Sequence, residues 1–260
     1  MRIIDAHSHC WIRPGSADAS PARELVEEMD RFGIEKSLVL STRTNLETLK
    51  ISAFDPKRLF PVASAHPAGN LDSDLRAVEE NAGKFKAIKL YPGYEPFYPS
   101  QPICEPVYEF AERVGLPVLF HSGDFASPSG RLKYAHPLHV DEVAVQHPDL
   151  RIVICHFGNP WIEDAAEIAS KNENVFLDLS GLTGPPTKYS DRYFEHLARQ
   201  VSGAIYYIGD AGKVLFGSDR PTTRVEDAIR LVEKLDVDEA DRKLIFYENA
   251  ENLFFKPRGE

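Results

Sequence analysis

The sequence predicts an α/β protein with a (β/α)8 architecture, a closed barrel of eight parallel strands surrounded by helices. Eight short apolar runs alternate with amphipathic segments, as parallel strands joined by crossover helices do. The length of 260 residues also suits one such barrel. The main alternative, an open doubly wound sheet, usually has a glycine-rich first turn, whereas the first apolar run here ends in His-Ser-His.

The elements follow one another in strict order. The first strand is predicted at 2–9, and Ser20 caps the helix after it, with Pro21 at the first helical position. The other strands are predicted at 36–42, 58–67, 85–93, 116–124, 151–160, 174–181 and 213–221. The other helices are predicted at 46–54, 71–84, 103–115, 136–148, 161–172, 190–201, 223–235 and 238–255. The chain shows no linker or internal repeat, so we expect a single domain over 1–260.

Composition narrows the class of partner. The formal net charge of −10 disfavours nucleic acid and anionic membranes, which bind basic surfaces. Three cysteines without a CxxC pair disfavour a disulfide framework, and no apolar run reaches the roughly 18 residues of a membrane span. Because the first strand begins at Arg2, we expect no signal peptide. We therefore expect a cytoplasmic enzyme that acts on a small molecule and is compatible with a homodimer.

Polar side chains stand at or near the ends of most predicted strands. They are His7, His9, His66, Lys89, His121, His156 and Asp219. Because the carboxyl ends of all barrel strands meet at one face, these side chains are predicted to converge. Imidazole and carboxylate together suit zinc and similar divalent ions, which lower the pKa of a bound water to about 7. A nearby carboxylate such as that of Asp219 would ligate the metal and move the proton.

The ordered motifs resemble those of the amidohydrolase superfamily. They are DAHSH, AIKLYP, LFHSG, ICHFG and VLFGSDRP at the ends of strands 1, 4, 5, 6 and 8. The closing ENAENLFF is similar to the end of the amidohydrolase-related branch, the metal-dependent hydrolases of TIM-barrel fold. The resemblance implies that one metal is bound by His7, His9, His121 and Asp219, with His156 beside it.

The resemblance leaves the number of metals open. Binuclear members carry a carboxylated lysine on strand 4, a position that Lys89 occupies, and His156 would then ligate the second metal. One metal is the more common arrangement in the amidohydrolase-related branch. We expect one ion, with zinc as the default and manganese or iron as alternatives.

The predicted function is hydrolysis of an ester, lactone or amide carbonyl of a small molecule by metal-activated water. Asp219 would be the general base and then the acid, with His156 and Lys89 as further catalytic residues. The first alternative is non-oxidative decarboxylation of a small unsaturated or aromatic acid. Hydroxybenzoate decarboxylases usually have Glu-x-His at strand 1, from which His7 departs, although aminocarboxymuconate semialdehyde decarboxylases have His-x-His. A remote alternative is a metal-binding barrel without catalysis.

Several further residues are candidates for substrate contact because of their positions. They are His66, Tyr91, Ser180, Arg43, Arg131 and Arg220. The arginines are candidates for binding a substrate carboxylate, although Arg220 is first expected to be a salt-bridge partner. Asp178 shares one strand face with Ser180 and is predicted to hydrogen-bond inside the barrel. Strand alternation predicts that Cys155 faces away from His156 and packs beneath helices.

Overall fold

The computed structural model describes residues 1–11, 20–40, 44–184 and 190–256. In these ranges eight strands form one sheet in which each strand pairs in parallel with the next along the chain. The strands are β1 (Ile3–His9), β2 (Ile34–Leu40), β3 (Leu59–Ser64), β4 (Ile88–Leu90), β5 (Val118–Phe120), β6 (Ile152–Ile154), β7 (Val175–Asp178) and β8 (Val214–Leu215).

Backbone hydrogen bonds between β1 and the segment after β8 close the ring. The amide of Ala6 donates to the carbonyl of Phe216 at 2.9 Å, and the amide of Asp219 donates to the carbonyl of His7 at 2.8 Å. The amide of His9 then donates to the carbonyl of Arg220 at 2.7 Å. The predicted (β/α)8 barrel is confirmed, and its closure runs directly through the polar residues that end β1 and follow β8.

Helices surround the barrel in the predicted alternation. They are α1 (Ser20–Phe32), α2 (Asn45–Ser52), α3 (Leu71–Glu80), α4 (Glu105–Val114), α5 (Leu138–Gln146), α6 (Ile162–Lys171), α7 (Asp191–Ile208), α8 (Val225–Lys234), α9 (Glu239–Lys243) and α10 (Asn249–Phe254). None of the helices in the described ranges is both long and apolar enough to cross a membrane. The single domain, the cytoplasmic location and the homodimer stay predictions.

Two helices differ most from their predicted extent. Helix α7 continues to Ile208 and ends at Gly209, whose φ of +73° is the left-handed conformation that glycine adopts without strain. Its buried side chains extend past the predicted end, through Ala204 and Ile205, which prolongs the apolar face. The predicted last helix is divided into α9, a π-helical turn at Leu244–Glu248, and α10.

The apolar side chains form two layers. Inside the barrel, Ile4, Leu38, Leu119 and Val153 pack together, and Phe254 of α10 belongs to the same cluster. Outward-facing strand residues pack against the helices in a larger cluster. Each fully buried aliphatic side chain contributes about 1.5–3 kcal/mol to stability. The apolar filling occupies the lower part of the barrel, so the polar strand ends remain together at the carboxyl face.

Candidate active site

Two histidines at the end of β1 present the same ring atom to one space. Nε2 of His7 and Nε2 of His9 lie 3.7 Å and 3.3 Å from Oδ1 of Asp219. The opposite ring nitrogens are occupied: Nδ1 of His7 lies 2.8 Å from Oδ2 of Asp178, and Nδ1 of His9 lies 3.1 Å from the carbonyl of Leu40. Because both partners are acceptors, Nδ1 carries the proton in each ring and the Nε2 lone pair is free for a metal.

Asp219 follows β8 in a strained conformation. Its φ of 56° lies in the left-handed region, which costs a residue other than glycine of order 1–3 kcal/mol. Burial alone would raise the pKa of Asp219, but the close contact with His9 and the positive charge that the surrounding histidines can carry bring the pKa below its ordinary value. The side chain is therefore a carboxylate at neutral pH, as a metal ligand must be.

His121 follows β5 and carries an unsatisfied buried atom. The residue is 5% exposed, and its Nε2 has no hydrogen-bond partner among the described residues. Burial, assisted by the nearby charges of His156 and Lys89, lowers the pKa of His121 well below its ordinary value. A neutral imidazole with an unpartnered nitrogen is suited to a metal, since buried polar groups are nearly always paired.

These donors fit a divalent ion. The ligand atoms of His7, His9 and Asp219 all lie within 4.8 Å of one another, and His121 is beside this group but outside that compact set. A second group within the same limit contains His7, His156 and Asp178. The two groups share His7, whose Nδ1 is already hydrogen-bonded to Asp178.

His156 stands on a turn that interrupts strand alternation. The 3₁₀ turn Cys155–Gly158 follows β6 and holds His156 and Phe157 at φ values of 59° and 49°. Nδ1 of His156 donates to the carbonyl of Ser180 at 3.0 Å, and its ring centre lies 5.0 Å from those of His7 and of His121. Burial lowers the pKa of His156.

The prediction that Cys155 faces away from the site is wrong. The sulfur of Cys155 lies inside the barrel, 2.6 Å from Nζ of Lys89, because Cys155 continues the alternation that places Val153 inside and Ile154 outside. His156 is the residue that departs from this alternation. Burial raises the pKa of Cys155 well above its ordinary value, so the group is a neutral thiol. Lys89 is 1% exposed and lines the pocket. Its carboxylation stays a prediction.

Asp178 connects the histidines from below, at the end of β7. Its Oδ1 accepts hydrogen bonds from the amides of His156 and Ser180 at 2.9 Å and 3.0 Å and from the hydroxyl of Ser180. Burial opposes ionisation, but the charge and hydrogen bond of His7 outweigh it and hold the pKa of Asp178 far below its ordinary value. Ser180 lies behind His7 and His156, so it does not line the pocket as expected for a substrate contact.

The side chain of Asp5 joins β1 to the segment after β8 through hydrogen bonds. Its Oδ1 accepts from the amides of His7 and Ser218 at 3.1 Å and 2.9 Å, and its Oδ2 accepts from the hydroxyl of Ser218 at 2.6 Å. Burial raises the pKa of Asp5 to about 7, against the lowering effect of the Ser218 hydrogen bonds. This carboxyl group fixes the two segments that carry His7 and Asp219.

A pocket of about 710 Å³ opens above these residues. Its walls include the aromatic side chains of Trp11, Tyr91, Tyr94 and Phe125. The ring centre of His121 lies 4.8 Å from that of Tyr94 and 4.9 Å from that of Phe125. Flat apolar walls around a polar floor suit a planar ligand with an acidic group.

The two described arginines lie outside the pocket, and Arg220 forms a salt bridge, which was its first expected role. Arg220 donates from Nε to Glu28 at 2.5 Å and from Nη1 to the carbonyl of His9 at 3.0 Å, so it faces α1 rather than the pocket. Arg131 is exposed and does not line the pocket, and Arg43 lies outside the described residues. Tyr91 and His66 line the pocket, and their contact with a substrate stays a prediction. Sequence reasoning missed Trp11, Tyr94, Glu95 and Phe125, which lie in loops without a periodic pattern.

The fold and the donor set together define a (β/α)8 enzyme scaffold with a divalent metal centre at the carboxyl ends of its strands. The family model described as Amidohydrolase matches residues 4–256. The chain therefore belongs to the amidohydrolase family, which confirms the resemblance drawn from the strand-end motifs.

A curated relative is the gamma-resorcylate decarboxylase of Polaromonas sp. (strain JS666 / ATCC BAA-500). It is 29% identical over 129 residues, which cover 42% of this chain and 35% of that protein. The chain thus matches about a third of the length of this relative, and the activity of the relative enters only as a proposal below.

Solved structures share the fold. An uncharacterized TIM-barrel protein from Bordetella bronchiseptica superposes with a TM-score of 0.74 at 22% identity, covering 97% of this chain and 98% of that one. A dihydroxybenzoic acid decarboxylase from Polaromonas sp. JS666, with bound manganese and the inhibitor 2-nitroresorcinol, has a TM-score of 0.70 at 18% identity, covering 97% and 96%.

These comparisons correct the predicted activity. The curated relative is a decarboxylase, and decarboxylases also predominate among the solved neighbours, so hydrolysis as the main prediction was wrong. His7 stands where hydroxybenzoate decarboxylases usually have the glutamate of Glu-x-His. This difference does not exclude decarboxylation, because imidazole and carboxylate both bind the same divalent ions. The family and the His/Asp group support a divalent metal, but zinc in particular is not confirmed.

Proposed function

We propose that the protein is a metal-dependent, non-oxidative decarboxylase of a small aromatic acid. The observation that carries the proposal is the aromatic-walled pocket placed directly over the His7, His9 and Asp219 group. The decarboxylase activity of the curated relative supports it. In such a reaction the bond between the ring carbon and the carboxyl carbon breaks, carbon dioxide leaves, and a proton takes its place on the ring.

The metal would be held by His7, His9, His121 and Asp219. When bound, a divalent ion would supply positive charge that holds and orients the acidic oxygens of the substrate. We propose one ion, because a second group would have to use His7 and Asp178, which are hydrogen-bonded to each other. Histidine and carboxylate donors accept both zinc and manganese, so the choice between them is made by experiment.

The chain's own residues orient the acid and move the proton. Tyr94 and Phe125 would stack on the substrate ring, and the ammonium group of Lys89 would attract its carboxylate. Oδ1 of Asp219 faces the β1 histidines, which leaves Oδ2 to take up a proton from solvent and deliver it to the ring carbon as carbon dioxide leaves. His156, fixed by Ser180, would contact the same acidic group.

The test measures carbon dioxide. Protein loaded with manganese or with zinc is incubated with a panel of hydroxybenzoic acids, and gas release and the decarboxylated ring product are quantified together. We expect one equivalent of each product, no release by Asp219→Asn, and unchanged release by the control Asp191→Asn, whose side chain is exposed at the start of α7. Absence of release across the panel from metal-loaded protein overturns the proposal.

A further inference from the structure

A second polar group lines the pocket away from the metal-ligand candidates. It is formed by His66, which follows β3, and Glu95, which follows β4. In the ring of strands β4 lies four positions from β8, so Glu95 stands across the barrel mouth from Asp219. A substrate bound at Asp219 through its acidic group would therefore direct its far edge toward this pair.

The ring of His66 is held in one orientation by Asp74. Nδ1 of His66 lies 2.8 Å from Oδ2 of Asp74, and the same oxygen accepts the backbone amide of His66 at 3.0 Å. Because that oxygen is an acceptor, Nδ1 carries a proton, and Nε2 is directed toward the pocket side, where Glu95 lies.

His66 and Glu95 do not meet directly. Nε2 of His66 and Oε1 of Glu95 are 3.8 Å apart, which is too far for a hydrogen bond. Their side chains are 28% and 21% exposed, so both remain accessible from the pocket. Hydrogen bonding to Asp74, opposed by burial and aided by the charge of Glu95, raises the pKa of His66 and favours a second proton on Nε2.

We propose that His66 and Glu95 form a subsite for a hydroxyl group of the substrate. One hydroxyl oxygen would accept a hydrogen bond from Nε2 of His66 and donate its proton to Oε1 of Glu95, which fills the gap between them. The proposal rests on the proposed function, whose substrate class it narrows to aromatic acids with a hydroxyl group opposite the acidic group.

The negative charge around His66 and Glu95 disfavours substrates that have a second carboxylate. His66 is matched by two carboxylates, those of Asp74 and Glu95, so the local charge is negative when all three groups are ionised. A second substrate carboxylate would be repelled by Glu95, whereas a neutral hydroxyl satisfies both partners. The subsite therefore discriminates hydroxy acids from dicarboxylic acids.

The test uses binding rather than turnover, with nitroaromatic ligands in which a nitro group replaces the reacting carboxyl group. Dissociation constants are measured by calorimetry on metal-loaded protein for a nitrophenol and for its counterparts with hydrogen, methoxy or carboxylate in place of the hydroxyl. We expect wild-type protein to bind the nitrophenol about tenfold more tightly than the hydrogen counterpart, the effect of one charge-assisted hydrogen bond. The carboxylate counterpart should bind most weakly.

Variants test whether His66 and Glu95 cause the preference for the hydroxyl ligand. Glu95→Ala and His66→Ala should each bring the hydroxyl-to-hydrogen ratio to about one, while the control Glu80→Ala on the exposed face of α3 keeps it. Glu95→Gln keeps the shape of the side chain and removes its charge, so it should improve binding of the carboxylate counterpart. Retention of the wild-type ratio in Glu95→Ala and His66→Ala, or no gain for the carboxylate in Glu95→Gln, overturns the subsite.

The two proposals fail separately. Hydroxyl preference without carbon dioxide release would retain the subsite and remove the decarboxylase assignment. Carbon dioxide release without hydroxyl preference would retain the decarboxylase assignment and remove the subsite.

Discussion

Nδ1 of His7 lies 2.8 Å from Oδ2 of Asp178, and both residues are only 1% exposed. Asp178 is not itself directed at the pocket, yet it determines which nitrogen of His7 is available there. Such outer carboxylates orient a ligating ring and increase its basicity. The metal centre therefore extends one residue deeper than the atoms that would contact the ion.

The first prediction concerns this pair. Asp178→Asn removes the charge that holds the Nδ1 proton of His7, so we expect manganese or zinc affinity to fall about 10- to 100-fold. Competition with a chromogenic chelator measures the change, and circular dichroism checks the fold. Asp191→Asn serves as the matched control at an exposed position. An affinity equal to that of wild type would remove Asp178 from the metal centre.

The second prediction concerns Gly181, after β7. Its φ is +71°, and a Cβ atom there would lie 2.7 Å from Nδ1 of His156 and 3.3 Å from Oδ2 of Asp219. Gly181→Ala should therefore lower turnover at least tenfold and lower the melting temperature, since alanine is also strained at this φ. Gly203→Ala is the control, because nothing lies within 4 Å of its added Cβ, and it should be neutral or stabilising. Normal turnover by Gly181→Ala would contradict the geometry.

The third prediction concerns stability. Asp5→Ala leaves the amides of His7 and Ser218 and the hydroxyl of Ser218 without their acceptor. Each buried unsatisfied group costs about 1–3 kcal/mol, so the free energy of unfolding should fall by about 3 kcal/mol or more in urea titrations. Asp5→Asn keeps one acceptor oxygen and should lose less. Equal losses in the two variants would argue against these hydrogen bonds as the cause.

The fourth prediction concerns pH. The pKa of His66 is raised above 6.5, first by the Asp74 hydrogen bond. Stability from this contact is therefore complete below pH 6.5 and is lost as the pH rises through the folded-state pKa. Asp74→Asn should lower the pKa of His66 in an NMR titration and flatten the stability–pH curve in that window. A pKa unchanged by Asp74→Asn would show that Glu95 alone is responsible.

The fifth prediction concerns metal loading. An ion that binds only the folded protein stabilises it by about 2.7 kcal/mol at a concentration of 100 times its dissociation constant. We expect manganese or zinc to raise the melting temperature of chelator-stripped wild-type protein and to leave that of His9→Ala nearly unchanged. An equal increase in both proteins would place the ion somewhere other than the β1 histidines.

The barrel was predictable because its signal is periodic and repeated. Eight apolar runs fixed the order of strands, and His7, His9, His121 and Asp219 come at their ends in a position that only a closed parallel sheet brings together. The convergence of these strand-end residues follows from topology alone. It required no knowledge of how any individual side chain packs.

The parts that sequence reasoning missed depend on local backbone conformation. Cys155 continues the alternation of β6 and faces inward like Val153. Two consecutive residues with positive φ, His156 and Phe157, then end the alternation and bring His156 to the site as well. Tyr94 and Phe125 form the pocket wall through loop contacts, with the Tyr94 hydroxyl accepting the amide of Ala126 at 3.2 Å. Neither feature follows from periodicity, because both are determined by contacts between segments that are distant in sequence.

The closure of the ring has a consequence for biosynthesis. The backbone bond between His7 and Asp219 joins the first strand to the last, so the donors at the barrel mouth come from opposite ends of the nascent chain. A ribosome must therefore release the eighth strand before any ion can be captured with its full set of donors. The timing of cofactor acquisition is thus set by the arrival of that strand.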